Sequence, residues 1–189
     1  TPKPSSAASD VYKRQILSSI NMIWKGAEEA GRDKKDVGLG IIFHTVLHDH
    51  IEQATLMAKS MAAGYFEYSP MLFENLGYEW NGPDPEELKA NEDVWPDFHH
   101  SSDLVASGSV VDFISTEQAR SFALVGGNDD ISTQLLNVLY TAAENDIEFE
   151  HVVLHPIPNP PTPDEGPGSY LERVPREILP AVRNALSTS

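Results

Sequence analysis

The sequence predicts an α/β fold built on a parallel β-sheet. Two apolar runs rich in β-branched residues, at 37–47 and 147–155, carry this prediction. Segments with helical periodicity flank the second run, at 130–145 and 170–186. Strands that helices cover on both faces are near-continuous apolar runs in sequence, as in parallel sheets. The second run leads into a Pro-rich loop, which is where parallel α/β folds bind ligands.

The first helix is predicted at residues 16–30, ahead of the first strand. Apolar residues recur there at helical spacing, and Gly31 marks the expected end. After the strand, Asp49 is expected to cap a helix whose apolar positions are Ile51, Ala54, Met57, Ala58 and Met61.

Residues 64–121 are irregular, and we interpret them as a helical excursion between the last two strands, not as a separate domain. Pro and Gly residues interrupt the stretch repeatedly. Asp84 followed by Pro85 and two acidic residues is a strong helix start. Short helices are predicted at 70–76, 85–91 and 116–122.

Gly and Pro residues indicate where the last two predicted helices begin or are interrupted. Gly126 and Gly127 are interpreted as a tight turn into a capped helix rather than as a phosphate cradle, because Asp129 and Asp130 would repel an anion. The final helical segment contains Pro175 and Pro180, so a kink or a break is expected within it.

Composition narrows the function classes. The 189-residue chain has a net charge of -16, from 13 Lys and Arg against 29 Asp and Glu. This charge argues against nucleic-acid and anionic-membrane partners, which require basic surfaces. The chain has 0 Cys, which excludes disulfides and thiolate zinc sites. We expect a cytoplasmic protein and leave homo-oligomerisation open.

Residues 1–15 are predicted to be disordered and foreign to the fold. They are rich in Pro, Ser and Ala at the start and show no periodicity. The string SSAASDVYKRQ within them resembles the in-frame translation of a sequencing-library adapter. We therefore expect the natural coding sequence to begin near Ile16 and the domain to comprise residues 16–189.

Short motifs at three places in the chain occur in the order and at the spacing found in one known protein family. They are EEAGRD before the first strand, FALVGG before a helix and HVVLHP after it, and YLER with EILP at the end. Together they resemble the carboxyl-terminal part of the luciferase-like monooxygenase family, over most of residues 16–186. Gly126-Gly127 departs from the Gly-Ser/Thr-Pro-Glu pattern of that family.

The resemblance implies a (β/α)8 TIM barrel, of which this chain would be the truncated carboxyl-terminal part. Residues 37–47 would be strand seven and residues 147–155 strand eight, with strands one to about six and the phosphate-binding segment missing. It further implies a parent oxidoreductase that uses FMN or coenzyme F420 for hydride transfer or monooxygenation of a small-molecule substrate. Two strands cannot close such a barrel. We therefore expect the fragment to be inactive and to bind no cofactor alone.

The candidate site residues are two histidines at the carboxyl ends of the predicted strands. The carboxyl ends of barrel strands face the active site, so His155 could line a pocket, hydrogen-bond a ligand or relay a proton. His48 occupies the matching end of the earlier strand. Both are predicted to line the cofactor pocket, and the catalytic residues stay unknown. The structural alternatives are a loop anchor for His155 and a first-turn helix residue for His48.

No metal site is predicted. His44, His48 and His50 with Asp49, and the pair His99-His100 beside Asp97 and Asp103, match no recognised zinc spacing. A second function class stays open: a self-contained small α/β binding or interaction module without catalysis. Such a module would unfold cooperatively as a monomer.

Overall fold

The structure is a computed structural model that describes residues 6–157 and 167–188. Strands and helices alternate in it, which confirms an α/β fold. The strands are β1 (Gly40–Leu47), β2 (Leu124–Gly126) and β3 (His151–Pro156). The helices are α1 (Ser6–Glu29), α2 (Ile51–Tyr68), α3 (Met71–Glu74), α4 (Pro85–Leu88), α5 (Leu104–Val110), α6 (Thr116–Arg120), α7 (Asn128–Glu144), α8 (Pro167–Arg173) and α9 (Leu179–Ser187). Short 3-10 helices occupy Lys34–Asp36 and Glu92–Val94.

The three strands form a parallel sheet in the order β2-β1-β3. β1 pairs with β3 from Gly40 opposite His151 onward, and its carboxyl end pairs with β2. The helical excursion therefore lies between the first two strands of three, which corrects its predicted place between the last two. β2 was missed because three residues are too short to show a two-residue period, and its state depends on hydrogen bonds to β1.

One face of the sheet is covered by helices. Phe43 and Leu47 of β1 and Leu124 of β2 pack against α7 and the carboxyl-terminal helices. The hydroxyl of Tyr170 donates a hydrogen bond to the carbonyl of Leu154, at 2.7 Å, and fixes α8 against β3. Burial raises the pKa of Tyr170, with a hydrogen bond to Thr45 acting in the opposite direction.

The opposite face is covered only at the carboxyl end of β1. Val46 is buried there under α2 and the excursion. Further back, Ile42 is 64% exposed and its neighbour Val153 is 45% exposed. The prediction of strands buried on both faces is therefore wrong for this half of the sheet, since within the described residues no element covers it.

The excursion packs closely on α2. A Cβ on Gly108 would lie 1.9 Å from the backbone carbonyl oxygen of Leu56, so α5 crosses α2 at a distance only Gly permits. The predicted start of α4 is confirmed, because the Asp84 carboxylate accepts from the amide of Glu86 at 2.8 Å. α5 was not predicted, although Asp103 caps it by accepting from the amides of Val105 and Ala106.

Two helix starts, those of α1 and α2, differ from the prediction. α2 begins after His50 without a side-chain cap. Asp49 is not its cap, because the Asp49 carboxylate instead binds the guanidinium of Arg173 at 2.6 Å. Where the sequence predicted disorder over 1–15, α1 begins at Ser6, and 1–5 lie outside the described residues. The sequence from Ala7 onward is compatible with a helix because it has neither Pro nor Gly before Gly26.

The kink or break predicted in the last helix takes the form of a π-helical turn inside a continuous helical segment. A π-helix over Val174–Ile178 contains Pro175, and Pro180 stands in the first turn of α9. Each Pro lacks the amide that would continue the α-helical hydrogen bonds, which explains the widened turn. None of the helices in the described part of the chain is long and apolar enough to cross a membrane.

Candidate functional site

A cavity of about 430 Å³ lies at the carboxyl end of the sheet, between β1, β3 and the excursion. Imidazole rings and apolar side chains share its wall. It is lined by His44, Met61, His99, His100, Ser101, Leu104, His155, Pro156 and Ile157. Four of the seven histidines of the chain are in this set. Among the described residues that line it, none is acidic and none is Lys or Arg.

His44 and His155 form one side of the cavity because their strands are in register. The two residues are Cα partners in the β1–β3 pairing. Their rings meet edge to face, with centroids 5.1 Å apart. Tyr65 of α2 contacts the His44 ring from another direction, at 5.5 Å between centroids. The imidazole of His44 is thus held by neighbours from both the sheet and α2.

His99 comes from the loop that follows the cis peptide bond between Trp95 and Pro96. Its Nε2 donates to the carbonyl of Met61 at 2.8 Å, since a carbonyl can only accept. The ring lies directly over Gly64 of α2, where a Cβ would come within 2.2 Å of it. Gly64 therefore allows a loop residue to reach the cavity.

His100 lies beside His99 and is paired with Asp97. The Asp97 carboxylate accepts from His100 Nδ1 at 2.9 Å and from the backbone amides of both histidines. Burial raises the pKa of Asp97, but these hydrogen bonds outweigh it and leave that pKa lowered. The carboxylate thus stands behind the imidazoles and orients the loop.

The two half-buried histidines of the cavity, His44 and His99, favour the neutral form. Burial lowers the pKa of His44, and the proximity of His155 and His99 lowers it further. Burial also lowers the pKa of His99, against the opposing effect of the Met61 carbonyl. Each neutral imidazole has one donor and one acceptor nitrogen. His44 Nδ1 is buried and has no hydrogen-bond partner among the described residues.

The two predicted site residues are separated by the fold. His155 lines the cavity together with His44. His48 does not line it: the residue is 1% exposed, and its Nδ1 accepts from the backbone amide of His50 at 3.0 Å. The two-residue period that was expected to bring His48 beside His155 ends at Leu47, the last residue of β1. A cofactor-binding role for either residue stays a prediction.

Sequence reasoning missed the neighbours of His155. The pairing of His44 with His155 depends on strand register, and that register has no local signal. His99 joins them from a loop far away in sequence, so its place depends on the packing of the excursion against α2. The sequence did contain one indication of this cluster, because several histidines lie near the ends of the predicted strands.

A second depression lies at the amino end of α7. Gly127 N–H donates to the Asp130 carboxylate at 3.1 Å, which confirms the capped turn. Arg173 is bound there to Asp49 and to the side-chain oxygen of Asn128. Asp129 and Glu177 complete an acidic wall, which does not suit a phosphate. Across the described ranges, no group of three or more His, Asp or Glu side chains is placed to hold a metal ion.

The fold has a known counterpart among solved structures. The coenzyme F420-dependent tetrahydromethanopterin reductase from Methanopyrus kandleri matches with a TM-score of 0.55 and 18% sequence identity. The match covers 93% of this chain and 43% of the reductase.

At this identity the likeness concerns the fold. The α/β chain is therefore similar in architecture to a part of the reductase, and it spans less than half of that protein's length. No protein-family model matches the sequence, and no curated protein matches it.

Proposed function

We propose that this chain is the carboxyl-terminal portion of a deazaflavin- or flavin-dependent oxidoreductase with a TIM-barrel fold. The observation that carries the proposal is the structural match to the F420-dependent reductase over 93% of this chain. The likeness of the sequence to the luciferase-like family points in the same direction. The cavity lies at the carboxyl end of parallel strands, where α/β barrels bind their ligands.

In this proposal, the three-stranded sheet, one face of which is partly uncovered, forms one wall of the active site of the complete enzyme. Ile42 and Val153 would face the missing strands, because both side chains are exposed, whereas α7 and the carboxyl-terminal helices cover the opposite face of the sheet. His155 and His44 would line the pocket for a small-molecule substrate or for the reactive ring of the cofactor. FMN or coenzyme F420 would carry out the redox step, and the protein would orient it.

The residues present fit part of such a cofactor. The cavity offers apolar surface and neutral imidazoles, which suit a flat heterocycle with hydrogen-bonding edges. The described lining contains no Lys or Arg for a phosphate group. The phosphate-binding residues would therefore come from upstream of this chain, and we expect the chain alone to be inactive and to bind neither cofactor tightly.

The test compares the chain with a longer product of the same gene. We expect the purified chain to show no flavin or deazaflavin absorbance, and we expect the longer product to bind FMN or coenzyme F420 stoichiometrically. An upstream sequence without further strand–helix units would contradict the proposal. A stoichiometric chromophore on the short chain would contradict its predicted inactivity.

A second candidate is a self-contained binding or interaction module. The observation that favours it is a core formed by α2 and the excursion, independent of any missing strand. Its fully buried members include Phe73, Val94, Phe98, Val111 and Ile114. A cooperative unfolding transition of a monomer, together with no cofactor binding by the longer product, would favour the module over the oxidoreductase.

A further inference from the structure

The cavity lacks the acidic character of the chain as a whole. The protein has a net charge of -16 and 29 acidic residues. Yet the described residues that line the cavity include four histidines and no carboxylate. A negatively charged ligand would therefore meet less repulsion there than over most of the surface, and it would meet groups that can become cationic.

His44 and His99 each have one ring nitrogen for which the structure shows no hydrogen-bond partner among the described residues. His44 lines the cavity, and its Nδ1 is buried without a hydrogen-bond partner among the described residues. His99 uses Nε2 to bind the Met61 carbonyl, which leaves Nδ1 as its second hydrogen-bonding atom. The edge-to-face contact of His44 and His155 involves ring surfaces, with 5.1 Å between the centroids.

The rest of the wall is apolar. Met61 and Leu104 line the side formed by the excursion, and Pro156 and Ile157 line the side that follows β3. A volume of about 430 Å³ is within the usual range for small-molecule pockets. A ligand that fits both parts of the wall has one anionic group and a compact apolar body.

We propose that this cavity binds a small organic acid, whose carboxylate is held by the imidazoles of His44, His99 and His155 and whose apolar body contacts Met61, Leu104 and Ile157. The inference deepens the proposed function, because it assigns a ligand class to the same cavity. It does not require a redox cofactor on this chain.

Binding of a carboxylate must be coupled to protonation. Burial lowers the pKa of His44 and His99 in the free protein, so their imidazoles are neutral at neutral pH. A carboxylate stabilises the protonated form and raises these pKa values, so proton uptake accompanies binding.

Other titratable groups face the imidazoles from each neighbouring element. On the sheet side His44 and His155 face each other, and from the loop come Asp97, His99 and His100. From α2 come Tyr65, Tyr68 and Glu67, the last of which acts on His99 electrostatically. The carboxylates of Asp97 and Glu67 are outside the lining, and both act electrostatically to raise the pKa of His99.

The experiment uses benzoate as the probe and benzamide as its neutral analogue, titrated calorimetrically into the full 189-residue chain. We expect benzoate affinity to rise about tenfold or more between about pH 7.5 and about pH 5.5, with net proton uptake. Benzamide should bind more weakly and without pH dependence. A benzoate affinity that does not change with pH, or that benzamide equals, would overturn the inference.

Matched variants locate the site. His44→Gln and His155→Gln should each weaken benzoate binding at least about tenfold at the lower pH, which is the scale of a lost charge-assisted hydrogen bond. His151→Gln is the control, because His151 is exposed on the same strand and is not part of the lining. Equal losses in all three variants would contradict the assignment.

A measurement on the wild-type chain tests the same inference without a substitution, so it does not depend on whether the variants fold. In a histidine NMR titration, saturating benzoate should raise the pKa of His44. No change in that pKa would overturn the inference. Benzoate binding by the short chain, with no cofactor binding by the longer gene product, would support the anion site while contradicting the proposed oxidoreductase.

Discussion

His44 and His155 are paired in register on neighbouring parallel strands, and their imidazole rings meet edge to face with centroids 5.1 Å apart. The contact brings two titratable groups from distant parts of the chain to one cavity wall. It also explains part of the lowered pKa of His44, after burial itself. Four predictions follow from this cavity and from the packing around it.

The first prediction concerns pH. The pKa values of His44 and His99 are lowered by burial, whereas a histidine in the unfolded chain has a pKa of about 6.5. The unfolded chain therefore binds more protons just below that value, and stability falls as the pH drops through it. We expect the urea midpoint to decrease between about pH 7.5 and about pH 5.5.

The variant His44→Gln should flatten this pH dependence, because it removes one of the two titrating groups. His151→Gln serves as the control, since His151 is exposed on β3. The same pH dependence in the wild type and in His44→Gln would count against the electrostatic argument.

The second prediction concerns the crossing of α2 and α5. Gly108→Ala should destabilise the chain by about 1–3 kcal/mol or more, because the added methyl would overlap the Leu56 carbonyl. Gly26→Ala is the matched control in α1, where nothing lies within 4 Å of the added Cβ. That change should stabilise by about 0.5–1 kcal/mol. Chemical denaturation measures both, and similar effects would show that the close approach is unimportant.

The third prediction concerns a buried hydroxyl pair. Ser60 donates to the Phe98 carbonyl at 2.7 Å, so Ser107 donates to the Ser60 oxygen at 2.6 Å. Ser60→Ala should cost about 1–3 kcal/mol, because it leaves the Ser107 hydroxyl and the Phe98 carbonyl unsatisfied.

Adding Ser107→Ala to Ser60→Ala should cost little more or recover stability, since one unsatisfied donor is removed. A double-mutant cycle on the free energy of unfolding measures this coupling. Strictly additive losses would mean that the two hydroxyls do not interact.

The fourth prediction concerns the open half of the sheet. β3 has β1 as its neighbour on one side, and no described strand pairs with its other edge. Exposed apolar strand edges promote self-association. Val153→Lys should therefore reduce self-association in sedimentation velocity while leaving the unfolding midpoint nearly unchanged.

Phe43→Lys is the contrasting variant, because Phe43 is fully buried on the helix-covered face of β1. It should prevent folding. If Val153→Lys unfolds the chain as Phe43→Lys does, the face is not open in solution.

The sequence alone determined those elements whose signals are local. Apolar periodicity placed α2 and α7 close to their observed positions and predicted the end of α1, although α1 begins ten residues before the predicted start at residue 16. The Asp84-Pro85 pair marked the start of α4. Pro175 and Pro180 predicted an irregularity in the last helix, because each Pro lacks the amide that would form a hydrogen bond within the same turn. The place of His155 at the end of β3 also followed from the sequence.

Only the tertiary structure decided which of these local elements meet. β2 exists through its pairing with β1. β1 ends at Leu47, so His48 lies just outside the strand and does not follow its two-residue period. His99 reaches the cavity because Gly64 lets a loop lie against α2. Register and close packing depend on contacts between residues far apart in the chain, and such contacts leave no periodic trace in the sequence. The sequence therefore contains each of these histidines, but only the fold determines which of them line the same cavity.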